Sequence, residues 1–177
     1  KLWDEKFIKF IKRCPMDNIG WYGISCNAGT TLSCIERYID EPWDWSAVSC
    51  NPNITVEFIK KHPEKNWDWH FISCNSNITI KMIEKHVVEP WDYSGIGDNP
   101  NLTMEFFEKH IDEFWTWYSI GINPNLTMEV VTKYPNKPWD WYAIAKNINI
   151  TTDAVNSYPD KPWNWRGFGQ NRGLTTN

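Results

Sequence analysis

The sequence predicts an all-α fold, a right-handed α-solenoid of 24-residue two-helix repeats in which an α-helix is followed by a shorter helix of α or 3₁₀ type. Three features point to it. Asparagine recurs at Asn27, Asn51, Asn75, Asn99, Asn123, Asn147 and Asn171, and threonine at Thr31, Thr55, Thr79, Thr103, Thr127, Thr151 and Thr175. Of the 13 tryptophans, all except Trp3 fall into two columns of the same period. One column is Trp43, Trp67, Trp91, Trp115, Trp139 and Trp163; the other is Trp21, Trp45, Trp69, Trp117, Trp141 and Trp165, with Tyr93 in its gap. A fixed period of roughly 20–50 residues marks stacked units, none of which can bury its apolar face alone.

Residues 51–74 show how one unit is built. Thr55 is an N-cap, and Ile54 and Ile59 flank it as a hydrophobic staple. Glu57 in the first turn and Lys60, Lys61 and His62 in the last suit the helix dipole, and Pro63 stops the helix. The second helix repeats this logic with Asp68 as N-cap between Trp67 and Ile72. Its cap column reads Gly20, Asp44, Asp68, Asp92, Thr116, Asp140 and Asn164. The asparagine that opens the next unit follows the helix end, where a left-handed residue is favoured. Glu57/Lys61, Glu105/Lys109 and Glu129/Lys133 have the spacing of intrahelical ion pairs.

Two positions of the second helix are mostly small: Ser25, Ser49, Ser73, Gly97, Gly121, Ala145 and Gly169 in one, and Gly23, Ala47, Phe71, Gly95, Ser119, Ala143 and Gly167 in the other. Small side chains let neighbouring backbones approach, and the tryptophans fill the space between layers. The units run 3–26, 27–50, 51–74, 75–98, 99–122, 123–146 and 147–170, with a partial unit 171–177, all in one repeat domain spanning 1–177. No polar capping unit closes either end, so the chain reads as part of a longer one, with uncapped ends open to self-association.

The Pro-Trp-Asp-Trp and Asn-Pro-Asn-Ile-Thr elements, at Pro42–Trp45 with Asn51–Thr55 and, with Ile148 in place of the proline, at Pro138–Trp141 with Asn147–Thr151, resemble a repeat of giant, nucleocytoplasmic large DNA viruses. The 24-residue length and the Asn-Pro-Asn element also resemble the leucine-rich-repeat variant, a solenoid of alternating α and 3₁₀ helices. The resemblance implies a helical scaffold located in an infected host cytoplasm or a virion. Unlike some variant-repeat proteins, the chain has no amino-terminal cysteine cluster suited to an iron–sulfur centre.

Little in the sequence asks for catalysis. There is no P-loop, dinucleotide fingerprint, Gly-x-Ser-x-Gly or Cys-x-x-Cys, and no catalytic residue, metal ligand set or cofactor is expected. Cys26, Cys50 and Cys74 share one repeat position, and layers roughly 8–10 Å apart exceed the span of a disulfide. Together with Cys14 and Cys34 they are expected as free thiols, which suits a reducing, intracellular compartment. His62, His86 and His110 share the end of the first helix, where interlayer stacking explains them better than a metal. The five Asn-x-Thr sequons, at Asn53, Asn77, Asn101, Asn125 and Asn149, are expected to serve turns and caps. No apolar run approaches the roughly 20 residues of a membrane span.

Function in a solenoid sits where the units differ. Two second-helix positions four apart read Tyr22/Cys26, Ser46/Cys50, His70/Cys74, Ser94/Asp98, Tyr118/Ile122, Tyr142/Lys146 and Arg166/Gln170. Within this stripe Tyr22, His70, Tyr118, Tyr142, Lys146 and Arg166 are the candidate binding residues, since tyrosine and arginine are typical interface anchors. A non-enzymatic protein-binding scaffold is the expected function. The alternative is a modular single-stranded nucleic-acid reader, with tyrosines and Arg166 stacking on bases. A net charge of −4 argues against it, because tracking phosphates needs a basic groove.

Overall fold

The computed structural model describes residues 20–174, with Lys6, Ile8 and Lys9 before them. Most of the unit 3–26, including Trp3 and Cys14, lies outside the described residues, as does Thr175. The described chain is an all-α repeat solenoid. Its second helices are α1 (Trp21–Ser25), α3 (Trp45–Ser49), α5 (Trp69–Cys74), α7 (Tyr93–Asp98), α9 (Trp117–Ile122), α11 (Trp141–Lys146) and α13 (Trp165–Phe168). Between them lie the first helices, α2 (Leu32–Arg37), α4 (Val56–Lys61), α6 (Ile80–Lys85), α8 (Met104–Lys109), α10 (Met128–Lys133) and α12 (Thr152–Ser157).

Each helix begins where its cap residue dictates. Thr55 accepts from the backbone N–H of Phe58, and Thr31, Thr79, Thr103 and Thr127 act likewise, whereas Thr151 makes no such bond. Asp44, Asp68, Asp92, Asp140 and Asn164 cap the second helices. Thr116 does not: its hydroxyl is drawn instead to the Ser94 hydroxyl of the preceding unit. The second helices are α-helical rather than 3₁₀, opening with bonds such as Val48 N–H to Asp44 C=O and tightening to three-residue bonds, such as Asn75 N–H to Ile72 C=O, at their ends.

The repeated asparagine works differently from the sequence expectation. Asn75, Asn99, Asn123 and Asn147 have extended backbones (φ −60 to −72°), and no non-glycine residue among those described has positive φ. The end of each second helix is satisfied by the asparagine that closes the next second helix in the stack. The Asn99 amide, fully buried, donates to the carbonyls of Ser73 (2.8 Å), Asn75 (3.1 Å) and Ile78 (2.9 Å), while its Oδ1 accepts the Asn101 N–H at 2.8 Å. Asn51, Asn75, Asn123, Asn147 and Asn171 repeat the interlayer donation. The last carbonyls of a short helix have no intrahelical partner, so each second helix is capped by the buried amide that closes the next one.

The sequon asparagines form a second rung. Asn53 donates to the Ala28 carbonyl at 2.8 Å, and Asn77, Asn101, Asn125 and Asn149 likewise reach carbonyls one unit back. Their amide nitrogens are thus engaged in the interlayer joint.

The tryptophans lock the layers together. The indole N–H of Trp43 donates to the Tyr38 carbonyl at 2.8 Å, and Trp67, Trp91, Trp115, Trp139 and Trp163 make the same bond to the residue ending their own first helix. Each ring of this column also receives the other column's ring from the preceding unit, edge to face at 5.0–5.3 Å, as in Trp45–Trp67 and Trp117–Trp139. Such geometry adds about 0.5–1.5 kcal/mol beyond area burial.

Charges on the first helices also pair between layers, not within helices. Lys61 bonds Glu36 at 2.6 Å, Lys109 meets Glu84 at 3.6 Å, and Lys133 bonds Glu108 at 2.6 Å. The intrahelical pairs with Glu57, Glu105 and Glu129 give way to these. The second helices approach one another most closely along the stack, while the first helices stand further apart. The small residues explain it: a Cβ on Gly95 would lie 2.5 Å from the His70 carbonyl oxygen, and one on Gly167 would lie 2.5 Å from that of Tyr142. Phe71 occupies the same column, and α5 approaches α3 less closely than α7 approaches α5.

Candidate functional site

Most side chains of a unit are committed to the stack by the bonds above. The stripe on the second helices is where chemistry varies, and its contacts change along the molecule. In the amino-terminal part Ser46 and His70 turn toward the cap of the next second helix. Ser46 donates to Asp68 Oδ2 at 3.3 Å, and His70 Nδ1 lies 3.3 Å from Asp92 Oδ2. Tyr22 stands apart from this chain, 55% exposed on α1.

In the carboxyl-terminal part the stripe becomes a connected cluster. The rings of Tyr118 and Tyr142 stack, with centroids 6.4 Å apart and planes 23° from parallel. Lys146 Nζ donates to the Tyr118 hydroxyl at 3.3 Å, and the Tyr142 hydroxyl donates to Gln170 Oε1 at 2.7 Å. The structure thus brings together Tyr118, Tyr142 and Lys146 of the expected residues. Arg166 is exposed on α13 beyond them, while Tyr22 and His70 belong to other layers.

Beside this cluster opens a cleft of about 640 Å³, lined by Ile122, Lys146, Ile148, Gln170 and Arg172 among others. Ile148 and Arg172 were not legible as site residues. They share a loop column with Ala28, Pro52, Ser76, Pro100 and Pro124, so their signal was a break from a small-or-proline pattern.

Two thiols of the row, Cys50 and Cys74, are held toward the protonated form. Burial pushes the Cys50 thiol up to about 11, with the neighbouring thiols of Cys74 and Cys26 adding to the effect. Burial raises Cys74 as well, with Asp98 contributing. The thiolate is the reactive and metal-binding form, and both environments oppose it. The histidines serve the layers: His62 Nε2 lies 2.9 Å from Glu36 Oε2, His86 Nδ1 lies 2.9 Å from Lys60 Nζ, and His110 packs on Phe106 at 4.4 Å with Nδ1 3.2 Å from the Tyr93 hydroxyl. Among the described residues no group of His, Cys, Asp or Glu is placed to hold a metal ion, and no helix is long and apolar enough to cross a membrane. No protein-family model, curated protein or solved structure matches the chain.

Proposed function

We propose that this chain is a non-enzymatic scaffold that holds another protein along its row of second helices. The observation that carries the proposal is the contrast within each unit. Asparagines, tryptophans and caps repeat the same bonds from unit to unit, while the half-buried stripe changes from thiols and an aspartate to stacked tyrosines and cations. The second helices approach one another most closely along the stack, and the stripe runs along that row as a continuous surface of the kind on which solenoids bind extended partners. Tyrosine and arginine are enriched among interface hot spots, and tyrosine loses little conformational entropy on binding. The resemblance to giant-virus repeats extends the proposal to an infected cell or a virion as the setting.

The test is capture of partners from the native lysate on the tagged chain, with and without nuclease, beside a Tyr118→Ala/Tyr142→Ala/Arg166→Ala variant. The expected result is a set of proteins that survives nuclease and is lost on the variant. Capture unchanged by the three substitutions sinks the assignment of the stripe. Partners that vanish with nuclease favour a nucleic-acid reader instead.

A further inference from the structure

Within that scaffold reading, on which this step rests, we infer that the cleft between Lys146 and Arg172 is a docking site for an acidic protein segment that also carries aliphatic side chains. Its two cations stand outside the interlayer ion pairs that engage other lysines of the stack. Lys61, Lys109, Lys133 and Lys137 are each matched by a carboxylate in the preceding unit. Lys146 touches only the neutral hydroxyl of Tyr118, and no carboxylate pairs with Lys146 or Arg172 among the described residues. The half-buried Lys146 is held in place by that hydroxyl and presents its charge to the cleft. Arg166, which is exposed, adds a third cation one helix turn from Gln170.

The rest of the lining sets the second requirement. Ile148 is 57% exposed and, with Ile122, makes an aliphatic wall beside the charges. A carboxylate next to a leucine-like side chain satisfies both parts at once: the cations gain charge-assisted hydrogen bonds, and the exposed isoleucine is covered.

Nucleic acid fits less well. The tyrosine rings stack on each other and both hydroxyls are engaged, so a base would have to part them. The cationic stretch is also short, since Asp98 lies on the stripe and Asp92 and Asp68 line its amino-terminal part. A strand's phosphates need a groove that stays basic.

The experiment is a fluorescence-anisotropy titration of the intact chain with a short labelled peptide alternating Glu and Leu. A Gln–Leu peptide, a Lys–Leu peptide and labelled oligothymidine serve as comparators. The Glu–Leu peptide is expected to bind best, and more weakly as salt rises. Lys146→Gln and Arg172→Gln should each weaken it about tenfold, the effect of one charge-assisted contact. Lys109→Gln, which removes the same charge elsewhere, should leave binding unchanged. Circular dichroism and tryptophan fluorescence establish that each variant is folded. A Glu–Leu peptide that binds no better than Gln–Leu, or binding that Lys146→Gln and Arg172→Gln leave intact, overturns the inference. So does tighter binding of oligothymidine. If lysate partners still depend on Tyr118, Tyr142 and Arg166 in that case, the scaffold reading survives and only the acidic occupant is wrong.

Discussion

The two halves of the stack join their second helices by different chemistry. As far as Ser73 the buried small column is serine, and the hydroxyls of Ser25, Ser49 and Ser73 accept the N–H of Asp44, Asp68 and Asp92 in the next unit at 3.0–3.1 Å. From Gly97 onward that column is Gly97, Gly121, Ala145 and Gly169, and the joint is close contact: a Cβ on Gly121 would lie 2.6 Å from that of Ala143. The surface stripe changes one unit further on. Thiols and Asp98 give way to Tyr118, Tyr142 and Lys146. The asparagine and tryptophan rungs run unchanged through both halves. What the comparison teaches is that the ladder fixes the stack, which leaves the second-helix row free to change both its joint and its surface.

The largest expected effect is on the shared ladder. Asn99→Ala leaves the carbonyls of Ser73, Asn75 and Ile78 without their buried donor and should cost about 2–4 kcal/mol in urea unfolding. Asn51→Ala and Asn147→Ala should cost similar amounts, since the ladder is common to the two halves. Asn99→Asp is expected to be worse at neutral pH, because it points a carboxylate at three carbonyl oxygens. Burial and that repulsion raise the folded-state pKa of the new acid. Its destabilisation should therefore lessen as pH falls, the opposite of a paired carboxylate. Equal stability of Asn99→Asp and wild type at neutral pH would refute the buried-amide account.

A smaller effect should separate the halves. Gly121→Ala forces a methyl against Ala143 and to 3.2 Å from the Ile144 nitrogen, an overpacking cost of about 1–3 kcal/mol. Gly169→Ala meets nothing nearer than the Arg166 carbonyl oxygen at 3.5 Å and should fall within about 0.5 kcal/mol of wild type. Ser73→Ala removes the acceptor of the Asp92 N–H and should cost about 1 kcal/mol. Thermal unfolding of the three variants together is the measurement. Equal shifts for Gly121→Ala and Gly169→Ala would remove the distinction between a tight joint and an open one.

Much of this architecture was legible in the sequence. The period, the Thr and Asp caps, the staples and the tryptophan columns follow from local chemistry, and each unit contains the evidence for them. The role of Asn99 did not follow, because an asparagine after a helix reads equally as a left-handed terminator or as a buried amide. Only the carbonyls it meets a unit away decide between them. Lys61 posed the same ambiguity, with Glu57 on its own helix and Glu36 one unit back as competing partners. Of the site, Tyr118, Tyr142 and Lys146 were visible as variable surface, but their assembly into one cluster required the packing. Arg172 and Ile148 were hidden in a loop column that turn chemistry already explained.

The smallest effect tests the first-helix row, where the halves agree. Lys61 bonds Glu36 Oε1 and His62 approaches its Oε2, and these hydrogen bonds, Lys61 first, hold the Glu36 carboxyl below its ordinary pKa. A carboxylate whose pKa falls on folding contributes stability above the unfolded value of about 4.3, and that contribution is lost as pH falls through the folded value. Glu36 is 36% exposed, so solvent screening keeps the gain under about 1 kcal/mol. Glu36→Gln should therefore destabilise the chain slightly at neutral pH, with the gap to wild type closing as the solution becomes acid. Glu57→Gln should do less at neutral pH, since Lys61 reaches across the layer instead of along its own helix. If Glu57→Gln has the larger effect in parallel urea titrations, the intrahelical pair wins in solution and the first-helix row lacks this interlayer bond.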